Sequence, residues 1–165
     1  MKLTLYFLMA LLTISQGATA ATLCKTDEVA YFSCVLKGGK KIVSLCGNTF
    51  WNTTESKINP YAWLEYRFGT LKHIELLYPS SKVDSIKKFA AEYHHPYQGF
   101  YYALGFTIDN TRYDIEHIES EVNFYGVSVQ QGQKTTNIPC QGKPELPVKQ
   151  NTSSFFDIVI QLAPQ

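Results

Sequence analysis

The sequence predicts a mainly β protein, an antiparallel sandwich or an open barrel of about eight or nine short strands with one amphipathic helix. Aromatic residues make up 14% of the chain, and such side chains favour the half-buried surface of a pleated sheet. Apolar and polar residues alternate along most of the chain, and turn-forming residues interrupt these runs at short intervals. Short alternating runs separated by turns are typical of antiparallel sheets.

Residues 1–20 have the pattern of a secretory signal peptide. Lys2 precedes an apolar run over residues 3–14, and the small residues Ala18 and Ala20 flank Thr19 at the expected cleavage site. This run is shorter than the roughly 20 apolar residues that span a bilayer. We therefore expect cleavage after Ala20, no later membrane insertion, and a single disulfide-linked β domain over residues 21–165.

The first element of the mature chain is a predicted β-hairpin over residues 28–46, EVAYFSCVLKGGKKIVSLC. Two runs of β-branched and apolar residues lie on either side of Gly38 and Gly39. Two adjacent glycines favour a type I′ turn, because that turn needs positive φ at both central positions.

Four cysteines predict two disulfides, since the thiols of an exported chain meet an oxidising compartment. They are Cys24, Cys34, Cys46 and Cys140. A two-residue hairpin loop would place Cys34 and Cys46 on opposite faces, which disfavours joining them. Two pairings stay open, either Cys24–Cys46 with Cys34–Cys140, or Cys24–Cys34 with Cys46–Cys140. The spacings contain no CxxC pair, so we expect no metal site, and no motif indicates a cofactor.

Beyond a polar loop over residues 47–60, residues 61–68 and 72–78 alternate as two strands. Alternation in the first of these strands directs Tyr61, Trp63 and Arg67 away from the core. Trp, Tyr and Arg are enriched at interaction hot spots. With Trp51 from the loop, they form the predicted binding surface. The alternative is that both faces of the strand are covered and Trp63 is buried.

Over residues 82–93 the spacing of the apolar residues changes from the period of a strand to that of a helix. This segment is the one predicted helix. Val83, Ile86, Phe89 and Tyr93 fall on one helical stripe, and a serine precedes them as a candidate N-cap.

The remaining elements are predicted strands, joined by turns such as Asp109-Asn110. They cover residues 98–108, 112–118, 122–129, 134–138 and 155–162. Residues 139–154 contain three prolines and predict a surface connection tied down by Cys140.

Titratable residues are densest at Asp114, Glu116, His117 and Glu119. In a strand, the first two share one face and the last two share the other. A solvated strand edge is the simplest interpretation of this group. The chain has no nucleophile motif, no zinc-protease motif and no phosphate-binding loop, so we assign no catalytic residue.

The runs EVAYFSC, KKIVSLC, WLEYRFG and IELLYP resemble a pattern found in uncharacterised small exported proteins of Gram-negative bacteria. The resemblance covers the first part of the mature chain. It implies an envelope location, periplasmic or secreted, and no particular activity.

The formal net charge of +1 offers no electrostatic reason to expect nucleic acid as a partner. We expect an exported, non-enzymatic binding protein of the inhibitor or immunity type that acts on another protein or on an envelope glycan. One alternative is an envelope hydrolase that uses scattered carboxylates and histidines, since a pair of catalytic carboxylates leaves no local motif. Another is a structural or adhesive envelope component.

Overall fold

The computed structural model describes residues 21–52, 54–95, 97–144 and 154–164. The expected signal peptide lies outside the described residues. Those residues form eleven strands, one 3-10 helix and one α-helix, so the predicted mainly β class is confirmed. The strands are β1 Val29–Val35, β2 Ile42–Gly47, β3 Trp51–Asn52, β4 Lys57–Ile58, β5 Leu64–Thr70, β6 His73–Tyr78, β7 Ala90–His94, β8 Phe100–Ile108, β9 Thr111–Glu119, β10 Phe124–Gln131 and β11 Lys134–Pro139. The 3-10 helix is Ser85–Lys88, and the α-helix, α1, is Phe155–Leu162.

The strands form two antiparallel sheets arranged as a sandwich. One sheet has the order β1-β2-β5-β6, the other has the order β11-β10-β9-β8-β7, and β3 pairs with β4 in a short ribbon. Apolar side chains from both sheets and from α1 form one core. At one corner the sheets meet, because Leu36 after β1 bridges Cys140 after β11.

Both predicted disulfides are present, and their pairing is Cys24–Cys46 with Cys34–Cys140. Cys34 lies opposite Val43, as the hairpin register predicts. A bulge between Ala30 and Phe32 shifts the register, so that Cys46 lies opposite Ala30. The Cys34–Cys140 disulfide links residues 106 positions apart and ties the two sheets together at the shared corner.

The prediction of a helix over residues 82–93 is wrong. The 3-10 helix occupies four of these residues and β7 follows it. Phe89, Ala91 and Tyr93 also alternate with period two, and pairing with β8 selects that pattern over the helical one. Val83, which the helical stripe would bury, is 78% exposed.

The prediction of a strand over residues 155–162 is also wrong, because this segment is the helix α1. The Ser154 side chain accepts a hydrogen bond from the Asp157 N–H, and the Asp157 carboxylate accepts one from the Ser154 N–H. This reciprocal pair is a capping box, which starts a helix. Phe155, Ile158 and Val159 are buried, at the spacing of a helix face rather than of a strand. No helix in the described part of the chain is long and apolar enough to cross a membrane.

Candidate functional site

The predicted binding surface does not form as one exposed patch, and of its residues Arg67 alone lies in β5. Arg67 is 3% exposed, because residues 21–28 cover this face of the first sheet. Its guanidinium donates to both carboxylate oxygens of Glu28, over 2.6 and 2.9 Å, and to Glu65 Oε2 over 2.6 Å. Leu23 O accepts a further hydrogen bond from Arg67 at 2.8 Å. Arg67 therefore holds residues 21–28 onto the sheet and is not available to a partner.

The three aromatic residues of that prediction have different surroundings. Tyr61 is 83% exposed, whereas Trp63 is partly buried and carries the Lys82 ammonium 3.5 Å from its ring centroid. Trp51 in β3 is partly buried and packs against the core. Trp63 is thus neither fully exposed nor fully buried, which were the two alternatives that the sequence left open.

A pocket of about 480 Å³ lies between the second sheet, α1 and the segment after β11. We call it the aromatic pocket; its lining residues are Phe100, Tyr102, His117, Glu119, Lys143, Pro144 and Phe156. Residues of β8 and β9 form the floor of the pocket. The register of these two strands places Tyr102 opposite His117 and Phe100 opposite Glu119. The Phe156 ring of α1 closes one side, with its centroid 4.7 Å from those of both Tyr102 and His117.

Glu119 forms the charged end of the aromatic pocket. Its Oε1 accepts hydrogen bonds from the Lys143 ammonium, from His117 Nε2 at 3.0 Å and from the Tyr125 hydroxyl at 3.3 Å. The hydrogen bonds from Lys143 and His117 lower the pKa of Glu119 to about 2. Glu119 is therefore a carboxylate throughout the physiological pH range.

His117 is 2% exposed. Burial lowers its pKa below the ordinary value near 6.5, so the imidazole is neutral at pH 7. Because Nε2 faces the Glu119 carboxylate, it carries the proton and Nδ1 is an acceptor. Nδ1 is buried and has no hydrogen-bond partner among the described residues.

Asp114 and Glu116 lie on the opposite face of the same strand. The interpretation of this group as a solvated edge is wrong, because β9 is the central strand of its sheet. Arg112 holds Asp114 by hydrogen bonds of 2.6 to 3.0 Å. Glu116 accepts one from Ser128 at 2.9 Å, and burial raises its pKa. The sheet therefore separates both carboxylates from Glu119.

One group of potential metal ligands occurs among the described residues, formed by Glu28 with the sulfur atoms of Cys24 and Cys46. The two sulfurs are joined in a disulfide, so neither is a thiolate, the form that binds a metal ion.

Comparison with known protein families, with curated proteins and with solved structures gave no match.

The sequence singles out His117 and Glu119 as part of a titratable group, to which a solvated edge and no binding role were assigned, and it does not indicate the aromatic residues and Lys143 that surround them. The predicted turn at Asp109-Asn110 carried part of the missing information, because a two-residue hairpin loop pairs Tyr102 with His117. The Ser154-to-Asp157 capping box was the available signal for α1, which supplies Phe156.

Proposed function

We propose that this chain is an exported, non-enzymatic binding protein of the inhibitor or immunity type, and that the aromatic pocket receives a side chain of a partner protein. One observation carries the proposal: the pocket combines three aromatic rings, from Phe100, Tyr102 and Phe156, with a single charged end at Glu119. Binding pockets are typically apolar cavities in which a few polar groups fix the orientation of the ligand. Aromatic walls also suit the anchor side chains that dominate protein interfaces.

The same chemistry supports binding over hydrolysis. A glycosidase-type mechanism needs two carboxyl groups about 5–10 Å apart, one of them protonated at the working pH. Among the described residues that line the pocket, Glu119 is the one carboxylate, and it is ionised. No serine or cysteine is among those residues either, so the His117–Glu119 pair has no nucleophile to activate.

Export is part of the proposal. It is supported by the signal-like pattern of residues 1–20 and by two disulfides, which persist in oxidising compartments. Fractionation of cells that express the full chain tests this part. We expect the processed protein in the periplasm or the medium, and recovery in the cytosol with reduced thiols would contradict it.

Partner binding is tested by capture from envelope extracts, followed by calorimetric titration with the purified partner. Phe100→Ala removes an exposed wall of the pocket and Glu119→Gln removes its charge, so we expect each to weaken affinity at least about tenfold. Tyr61→Ala is the matched control, because it removes an exposed aromatic ring from the turn before β5, outside the lining of the pocket. The proposal would be overturned if Tyr61→Ala abolished binding of the partner while both pocket variants kept the wild-type affinity. It would also be overturned if no specific partner were captured.

A further inference from the structure

The charged end of the aromatic pocket already holds an ammonium group, which belongs to the chain itself. Lys143 Nζ donates to Glu119 Oε1 and lies 5.7 Å from the centroid of the Tyr125 ring. The Lys143 side chain is 62% exposed, so water reaches it freely. An exposed ion pair of this kind is weak, and another cation can displace it.

Apart from Lys143, the described residues that line the pocket carry no positive charge, and several of them attract a cation. Aromatic ring faces carry a negative electrostatic potential and attract ammonium groups, and a nearby carboxylate adds the attraction of its own charge. Phe100, Tyr102 and Phe156 line the cavity beside Glu119, and His117 is neutral. Without Lys143, the described lining residues carry a net charge of −1, all of it on Glu119.

We propose that the aromatic pocket binds an alkylammonium group of another molecule, and that Lys143 is a built-in competitor for the same position. This inference rests on the proposed function and names the chemical group that the pocket recognises. The group is either the lysine side chain of a partner protein or a small quaternary ammonium compound, since both present an alkylammonium cation to the rings and the carboxylate.

Calorimetric titration at low salt tests the proposal with two probes, choline and N-acetyl-lysine methylamide. The neutral isostere 3,3-dimethyl-1-butanol has the shape of choline without its charge. We expect a cationic probe to bind and the isostere to bind at least about tenfold more weakly. A preference for the lysine probe indicates a protein source, and a preference for choline indicates a small molecule. Equal binding of choline and its isostere would overturn the proposal, because the pocket would then recognise apolar shape alone.

Two variants in the pocket should change the affinity in opposite directions. Lys143→Met removes the competitor, so we expect the cation to bind about threefold to fivefold more tightly. Glu119→Gln removes the carboxylate and should weaken binding at least about tenfold. Lys134→Met is the control, because it removes the same charge from an exposed position on β11. Tighter binding after Lys134→Met, or weaker binding after Lys143→Met, would refute the competitor role.

These outcomes separate the inference from the proposed function. If a partner protein still depends on Phe100 while no cationic probe binds, the pocket is a binding site for a different group and the inference alone fails. If both probes bind and no partner protein depends on the pocket, the proposed protein partner fails and cation binding stands.

Discussion

Replacing Arg67 with methionine tests the buried ion cluster of Arg67, Glu28 and Glu65 beneath residues 21–28. All three side chains are at least nine-tenths buried. Methionine is apolar and unbranched, and it leaves two buried carboxylates without the guanidinium that neutralises them. Removing one partner from a buried ion pair costs about 3–5 kcal/mol. We expect Arg67→Met to lower the free energy of unfolding at pH 7 by this amount.

The pH dependence of this loss gives a second, independent expectation. Burial alone would raise the pKa of Glu28, but the hydrogen bonds from Arg67 and from the Lys25 N–H outweigh it and lower the pKa from 4.5 to about 2. The stabilisation by Glu28 is therefore present above pH 4.5 and is lost as the pH falls through 2. In Arg67→Met, burial dominates and Glu28 takes up a proton on mild acidification, which removes the buried charge. The stability difference between the two proteins should narrow from pH 7 to pH 3.

Guanidinium chloride unfolding, followed by tryptophan fluorescence at pH 7, 5 and 3, measures both expectations. Lys82→Met is the matched control, because Lys82 contacts Glu28 at 3.3 Å and its own side chain is 45% exposed. We expect it to cost about 1 kcal/mol or less. A cost below about 1 kcal/mol for Arg67→Met at pH 7, or a stability difference that does not change with pH, would refute the reasoning.

Two further predictions concern the elements that frame the aromatic pocket. Ser154→Ala removes the N-cap of α1 and should lower the free energy of unfolding by about 1 kcal/mol, measured by thermal denaturation; an unchanged midpoint would show that the capping box does not stabilise the helix. Replacing both Cys34 and Cys140 with alanine releases a link between residues 106 positions apart and should cost about 4–5 kcal/mol in denaturant unfolding. Retention of wild-type stability would contradict the role of this disulfide in joining the two sheets.

The floor of the aromatic pocket was within reach of sequence reasoning. The turn at Asp109-Asn110 was predicted, and a two-residue loop there determines which residues of β8 and β9 face each other. That register places Tyr102 opposite His117 and Phe100 opposite Glu119, as observed. Followed as far as the titratable residues, the register of this hairpin identifies the aromatic partners of His117 and Glu119.

The side wall of the pocket depends on α1, where local pattern was ambiguous. The apolar residues of 155–162 fit the pattern of a strand as well as that of a helix. The capping box at Ser154 is the signal that distinguishes the helix from the strand. The reverse error at residues 82–93 has the same cause. There, pairing of β7 with β8 overrides a helical stripe, and such long-range pairing leaves no mark in the local sequence.

The position of Arg67 shows a different limit of sequence reasoning. Alternation correctly placed Arg67 on the face of β5 opposite to Tyr66, which is in the core. What covers that face is the segment over residues 21–28, which the Cys24–Cys46 disulfide holds against β2. The sequence left two disulfide pairings open, so it could not determine whether Arg67 meets solvent or Glu28.

The most direct test of the binding site is an NMR titration of the isotope-labelled protein with choline and with N-acetyl-lysine methylamide. We predict chemical-shift changes centred on Tyr102, His117 and Phe156, which saturate with one dissociation constant for each probe that binds. Changes centred instead on Tyr61 and Trp63, or spread over the surface without saturation, would contradict the assignment of the aromatic pocket as a cation-binding site.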